Sequence, residues 1–159
     1  MEELFMLSIQ ISDIKDFMSH LLSKDTFDHF YFIEASIKMG VSYQIQGRIN
    51  EGFYDTSVEQ TLNREFCYWK EIRHRIFDII KGKRLPLSCK IVLGLSKQSI
   101  SYLIAHNNSS FREEDIEGIY VNILYDPKNL LITTGISYKN FSLDKSLEYA
   151  FDEYLVKFL

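Results

Sequence analysis

Apolar residues alternate with polar ones in some stretches of the chain and recur at helical spacing in others. The alternating and continuous apolar runs predict strands, one pair of which flanks the turn sequence DPKN at 126–129. Helical spacing predicts four helices, three of which follow the capping residues Ser12, Ser96 and Ser142. The predicted strands are 4–11, 29–38, 41–49, 89–95, 118–125 and 130–138.

The longest predicted helix runs from Asn63 to Lys81, and Gly82 is well placed to end it. Its apolar arc includes Trp69, Ile72 and Ile76, which we expect to pack on a sheet. Hairpins joined by helices are typical of the α+β class, with a mostly antiparallel sheet and helices packed on one face. This is the fold class that the pattern predicts.

The element order strand–helix–strand–strand–helix occurs twice along the chain. A length of 159 residues fits one α+β domain, 1–159, within which 1–85 and 86–159 would be two pseudo-repeats. The two halves share almost no identical residues. Internal duplication and coincidence therefore both stay open.

Three stretches carry a resemblance to known proteins: GRINEGFYD, IKGKRLPLSCKIVLGLS and FSLDKSLEYAFDEYLVKFL. They resemble a family of short, uncharacterised proteins from anaerobic Gram-positive bacteria, to which no activity, cofactor or site residue is attached. The stretch NLLITTGISYKNFSL also resembles a paired strand of sliding DNA clamps, whose domains duplicate a strand–helix–strand–strand unit. That second resemblance implies a clamp-like internal duplication.

Composition and the cysteines indicate a soluble, cytoplasmic protein. Apolar residues make up 46% of the chain and charged residues 25%, which are ordinary globular values. The acidic N-terminal sequence MEELFMLSIQIS does not have the pattern of a signal peptide, and no apolar run approaches the ~20 residues of a membrane helix. Cys67 and Cys89 are isolated, which favours two buried reduced thiols over a disulfide or a reactive nucleophile.

The stretch 70–84 is basic in an otherwise acidic chain. It holds six cations and two acids, a net charge of +4, which leaves −8 for the rest of a chain whose total is −4. Its cations lie on both flanks of the predicted helix, and those after residue 80 suit the negative end of the helix dipole. A solvated helix face and a contact for a polyanion or an acidic partner are both compatible with the pattern. The binding candidates of this stretch are Lys70, Lys81, Lys83 and Arg84.

Arg73 differs from these cations because it falls inside the apolar arc. A buried guanidinium needs a partner, since an unpaired buried charge costs several kcal/mol. Glu34, in the middle of the strand sequence YFIEASI, is the first candidate, and the others are Asp152 and Glu153. The alternative is that Arg73 and Glu34 line a pocket for an anionic ligand of a small-molecule binder or an enzyme.

No motif for catalysis, metal binding or cofactor binding accompanies these residues. The four histidines are scattered, EEDIE lacks the spacing of a calcium loop, and SLDK reads as a helix cap. The sequence therefore favours a non-catalytic binding or scaffold protein without a cofactor, acting through the basic helix or a sheet edge. Its partner would be another protein or a second copy of the chain; nucleic acid is not favoured and a membrane is not expected.

Overall fold

A computed structural model of the chain, which describes residues 3–54, 64–107, 110–140 and 144–159, contains a six-stranded sheet and four α-helices in those residues. Every strand pairing in the sheet is antiparallel, in the order β1-β6-β5-β4-β2-β3. The α+β prediction is confirmed. In chain order the elements are β1 (Glu3–Gln10), α1 (Ile14–Leu22), β2 (Tyr31–Lys38), β3 (Ser42–Gln46), α2 (Trp69–Ile80), β4 (Ser88–Gly94), α3 (Lys97–His106), β5 (Ile116–Tyr125), β6 (Leu130–Tyr138) and α4 (Ser146–Val156).

The alternation seen in the sequence separates the two faces of the sheet. One side chain in two from each central strand points into the core, as Ile37, Ile91 and Ile123 do, and each of these is at most 1% exposed. The helices cover this face. Trp69 and Ile76 of α2 are fully buried there and Ile72 is half-buried against the same core, as the apolar arc predicts.

Helix α2 begins later than the pattern of apolar residues predicts. The segment just before it pairs as extended backbone, with bridges from Phe66 to Arg48 and from Tyr68 to Tyr31. The carboxylate of Glu71 then accepts a hydrogen bond of 2.6 Å from the Tyr68 N–H and caps the helix at that point. The predicted start at Asn63 lies outside the described residues. At the other end the helix stops at Ile80, because Lys81 is already extended, and Gly82, the predicted stop, follows with a φ of +145°.

Strand β3 ends at Gln46, before the end of the predicted strand 41–49, and Gly47 beyond it passes close to β2. A Cβ atom on this residue would overlap the carbonyl oxygen of Phe32, so only glycine allows the approach of the two backbones. The caps of two other helices are also resolved. Ser96 caps α3 by accepting a hydrogen bond from Ser99, whereas Asp13 rather than Ser12 caps α1. Ser142 lies outside the described residues.

The repeated element order does not extend to the pairing of the strands. β1 and β4 open the two series, yet β1 lies at one edge of the sheet while β4 lies between β2 and β5. The two strands therefore have different neighbours and a different number of them. Internal duplication remains a prediction.

Candidate functional site

The face of the sheet that carries none of the described helices forms a recessed surface. Two adjoining hollows of about 410 Å³ and 440 Å³ lie on it and share Lys90 and Leu124. The hollows run across the four central strands of the sheet. Their lining side chains on this face are Ile33, Glu34, Ser36, Lys38, Ser88, Lys90, Val92, Tyr120, Asn122, Leu124, Leu131, Thr133 and Ser137. We call this surface the open face.

The floor of the open face is buried although none of the helices in the described ranges covers it. Val92 is 6% exposed, and Asn122 and Ser137 are each 8% exposed. The polar members of the floor are held in place: the Asn122 amide donates to the Thr133 hydroxyl over 3.2 Å, and the Ser137 hydroxyl donates to Glu117 over 3.1 Å. These bonds orient the polar groups before any partner arrives.

Two glycines contribute to the shape of this surface. A Cβ atom at Gly118 would collide with the Tyr120 hydroxyl, so the phenol ring lies across the backbone of that glycine. At Gly94 a Cβ atom would lie 3.1 Å from Ile33 Cδ1. Tyr120 and Ile33 therefore lie flat against the sheet, and larger residues at either glycine would lift them.

Of the three charged side chains that line the open face, Glu34 and Lys90 are neighbours that do not pair. Glu34 is opposite Val92 in the β2–β4 register and Ser36 is opposite Lys90, which makes Glu34 and Lys90 diagonal neighbours. Neither residue forms an ion pair with another described residue within 4 Å. Both charged groups are available to a molecule that covers this face.

Arg73 is bound to a carboxylate, as predicted, but not to one of the predicted partners. Its Nε and Nη2 donate to the two oxygens of Asp28 over 2.8 Å and 3.1 Å, and both side chains are nearly buried, at 11% and 13% exposure. The proposed pairing with Glu34, Asp152 or Glu153 is wrong. Glu34 points to the open face, whereas Arg73 lies on the side of the sheet that the helices cover.

Asp28 reaches Arg73 because the loop between α1 and β2 runs beside the start of α2. Backbone bonds tie the two segments together, from the Trp69 N–H to the Phe30 carbonyl over 2.8 Å and from the Lys70 N–H to the Asp28 carbonyl over 3.4 Å. Sequence reasoning missed Asp28 because it lies in a loop of no apparent periodicity. Arg73 and Glu34 do not meet in a common pocket.

The other cations of the basic stretch separate into two groups. Lys70 lies in the first turn of α2, over the Tyr68 ring, while Lys81 follows the last turn and pairs with Asp78 over 3.0 Å. Eleven residues of helix separate them by about 16 Å along the axis at ~1.5 Å per residue. Lys83 and Arg84 are exposed beside Lys81, in the loop that leads to β4. The predicted candidates therefore do not form one contiguous patch.

A group of neighbouring acids that the sequence analysis did not identify lies on α4 and just before it, and Glu148 is its buried member. Glu148 is 6% exposed, and burial together with the nearby carboxylates of Asp152 and Asp144 raises its pKa above the ordinary value. Burial also raises the pKa of Asp152, although the Thr134 hydroxyl donates to it over 3.3 Å. The signal was present in the sequence, because Glu148 and Asp152 flank the apolar stripe at a spacing of one helical turn.

The cysteines are free and protonated. Cys89 is buried and Cys67 half-buried, and burial raises their pKa to about 12 and about 11. Thiols in this state are poor nucleophiles. Within the described ranges no three His, Cys, Asp or Glu side chains are grouped so as to hold a metal ion.

Comparison with known proteins identifies a family for this chain but no activity. A family model described as a family of unknown function, DUF5721, matches residues 20–159. No curated protein and no solved structure matches the chain, so the resemblance to sliding DNA clamps and the bacterial source have no support. None of the helices in the described residues is long and apolar enough to cross a membrane.

Proposed function

The chain belongs to this family of unknown function, and we propose that it is a non-catalytic binding protein whose open face is covered by a protein partner. The observation that carries the proposal is the composition of that face. A sheet face that only meets water is expected to be polar. Five of the thirteen lining positions of the open face are nevertheless apolar: Ile33, Val92, Tyr120, Leu124 and Leu131.

The polar residues of the open face also suit a protein partner. Protein interfaces combine an apolar centre with a polar rim and about one hydrogen bond per 100–200 Å². Here Val92 and Leu124 lie near the centre, while the charges of Glu34 and Lys90 stand free beside them. The pre-oriented amide of Asn122 adds a group that can exchange hydrogen bonds with a partner backbone.

The form of the hollows favours a protein over a small molecule. A small-molecule site buries ~70–90% of its ligand's surface, which requires walls on several sides. The hollows lie on one sheet, and the residues that line them belong to strands and to the β5–β6 turn. A flat or convex protein surface can cover such a shallow floor, and a small ligand would stay largely in water.

Site-specific photo-crosslinking in the cells of origin tests this proposal. A photoreactive amino acid replaces Leu124 on the open face or, as the matched control, Tyr149 on α4; these residues are 36% and 67% exposed. We expect a discrete cross-linked protein from position 124 that is absent from position 149. Introducing Thr133→Lys beside the probe should abolish the adduct, because an added charge is then buried at the contact.

Two outcomes would contradict the proposal. The first is the absence of an adduct from position 124 in cells where the protein is folded and expressed. The second is the same set of adducts from both positions. In either case the open face is not a specific protein contact.

A further inference from the structure

Strand β3 is an edge strand whose outer side has no neighbour among the described strands. On its inner side the Met39 N–H donates to the Val41 carbonyl and the Gly47 N–H donates to the Ile33 carbonyl. The backbone N–H and C=O groups of the odd-numbered residues of β3 therefore point towards β2. Bonding alternates along an antiparallel ladder. The N–H and C=O groups of Ser42, Gln44 and Gln46 therefore point outward, away from the sheet.

Beyond β3 the chain pairs on its inner side with residues 65–67, which lie between it and β2. Past Gln46, the Cys67 N–H donates to the Gly47 carbonyl and the Ile49 N–H donates to the Glu65 carbonyl. Edge strands are commonly protected by charged residues or proline. The sequence SYQIQ of β3 contains neither, and four of its five residues are exposed. The outer edge of β3 therefore has neither of these protections.

The surroundings of β3 are basic although the chain is acidic overall. No Asp or Glu occurs in 35–50 or in 79–112, while these stretches contain two and six Lys or Arg residues. The Leu87 N–H donates to the Lys38 carbonyl over 2.8 Å, so the loop after α2 lies at the same end of the sheet as the β2–β3 turn. The cations at this end are Lys38, Lys81, Lys83 and Arg84.

Exposed aliphatic side chains accompany these cations. Val41 in the turn is 65% exposed, and Leu85 and Leu87 in the loop are 66% and 70% exposed, on either side of the buried Pro86. Since Leu87 is bonded to the strand that leads into the turn, these apolar groups belong to one end of the sheet. An occupant of this end would meet apolar contacts together with positive charge.

From this juxtaposition we propose that β3 accepts an extended acidic segment of a partner polypeptide as a seventh strand of the sheet. The outward groups of Ser42, Gln44 and Gln46 supply the main-chain hydrogen bonds that hold an added strand. Lys38, Lys83 and Arg84 attract the acidic side chains and accelerate association. This contact shares Lys38 with the open face, but its main-chain hydrogen bonds lie at the edge of the sheet and do not depend on the function proposed for that face.

A peptide matches these features better than a nucleic acid does. Alternating N–H and C=O groups at strand spacing are complementary to another peptide backbone, whereas a sugar–phosphate chain offers acceptors for the N–H groups only. The cations also lie at one end of β3 rather than in two rows along a groove. The proposal therefore gives the basic stretch a role in steering an acidic polypeptide.

Fluorescence anisotropy with a synthetic peptide of about eight alternating Glu and Val residues, a length that fits one strand, tests the proposal. The matched probe alternates Lys and Val. We expect the full chain to bind the Glu/Val peptide more tightly than the Lys/Val peptide, with an affinity that falls as salt rises from about 50 to about 300 mM. Duplex DNA and vesicles of phosphatidylserine and phosphatidylcholine serve as competing probes.

Variants of Gln44 test the main-chain hydrogen bonds of the edge strand, and a double variant of Lys83 and Arg84 tests the contribution of charge. Gln44→Pro removes an outward N–H and leaves the bonds to β2 intact, a position where edge strands tolerate proline. It should weaken binding about tenfold, the effect of one good hydrogen bond, while Gln44→Ala binds like the parent. The double variant Lys83→Glu/Arg84→Glu should weaken binding and reduce its salt dependence.

Hydrogen exchange provides a readout that does not require the proline variant to fold. Adding the Glu/Val peptide to the unmodified chain should slow exchange at the amides of Ser42, Gln44 and Gln46. Equal binding of the two peptides, unchanged exchange at these amides, or binding of DNA or vesicles without binding of the Glu/Val peptide would each overturn the proposal.

Discussion

The protein buries acidic side chains in two regions, and their surroundings differ. Asp28 lies against Arg73 at the start of α2, where two hydrogen bonds of 2.8 Å and 3.1 Å join opposite charges. Glu148 lies on the buried side of α4, one helical turn before Asp152, so two acidic side chains of like charge are neighbours. Near them the Tyr138 hydroxyl is buried without a hydrogen-bond partner among the described residues.

The comparison shows that burial of a charge has opposite consequences with and without a partner. The guanidinium of Arg73 satisfies both oxygens of Asp28, so each ion replaces part of the hydration that the other loses. Glu148 has no such bidentate partner: burial raises its pKa, and the nearby charge of Lys145 offsets this only in part. A carboxyl whose pKa is higher in the folded than in the unfolded state binds its proton more tightly when folded. Its ionisation therefore lowers stability as the pH rises through the folded-state pKa.

Removing one member of the opposite-charge pair should have the largest effect. We expect Arg73→Leu to lower the free energy of unfolding by about 3 kcal/mol, because it leaves the Asp28 carboxylate buried and unpaired. Urea denaturation at neutral pH measures the change. The double variant Arg73→Leu/Asp28→Leu should recover most of the loss.

Glu34→Ala is the matched control for this pair. The residue is exposed on the open face, so its removal should change stability by no more than about 0.5 kcal/mol. If Arg73→Leu is as mild as this control, or if the double variant is no more stable than the single one, the pair is not a buried, mutually dependent unit.

Neutralising the unpaired acid should have a smaller and opposite effect. Glu148→Gln is expected to stabilise the protein at pH 7 by about 1 kcal/mol, a rise in Tm of roughly 2–4 °C for a chain of this size. The gain should disappear as the pH falls below about 4, near the ordinary pKa of Glu, because the parent residue is then neutral in both states. Thermal melts across this range measure both effects.

The exposed Glu153 on the same helix provides the control, since Glu153→Gln should change stability by less than about 0.5 kcal/mol at either pH. A gain for Glu148→Gln that persists undiminished at pH 4, or a loss at pH 7, would show that ionised Glu148 is not a source of instability.

The smallest expected effect belongs to the hydroxyl beside these acids. Tyr138→Phe should leave the free energy of unfolding unchanged or raise it by up to about 1 kcal/mol, because a buried hydroxyl without a partner is removed and the ring contact with Phe111 is kept. Thr134→Val is the comparison, since it removes a hydroxyl that donates to Asp152 and should destabilise. A loss for Tyr138→Phe as large as that for Thr134→Val would mean that the Tyr138 hydroxyl has a partner in solution.

Helix α2 shows which structural features the sequence predicts and which it does not. The apolar arc predicts the burial of Trp69 and Ile76 correctly, because helical spacing places these residues on one side whatever the helix packs against. The start of the helix is different. Phe66 and Tyr68 were assigned to it, yet both form β-bridges to residues far away in the chain, and those pairings override the local preference.

The candidate site was less accessible to sequence reasoning than the fold. The sequence marked Arg73 as needing a carboxylate, since an apolar surrounding is visible in the neighbouring residues. It could not identify Asp28, which is 45 residues away in a loop that only the packing of α1 against α2 brings near. The open face was equally hidden, because whether a helix covers a given strand depends on chain connections and not on the strand's own alternation.

Local patterns alone determined the class of the fold, most of its elements and the inward-facing residues of α2, because hydrogen-bonding geometry imposes periods of about 3.6 and 2.0 residues on the chain itself. Only the tertiary structure decided which charges meet, which face of the sheet stays open and that β3 lies at an edge. These features depend on contacts between residues distant in sequence. One example is the β2–β4 pairing, which places β2 between β3 and the other strands and so leaves β3 at the edge. Each surface to which we assign binding arises from such long-range contacts.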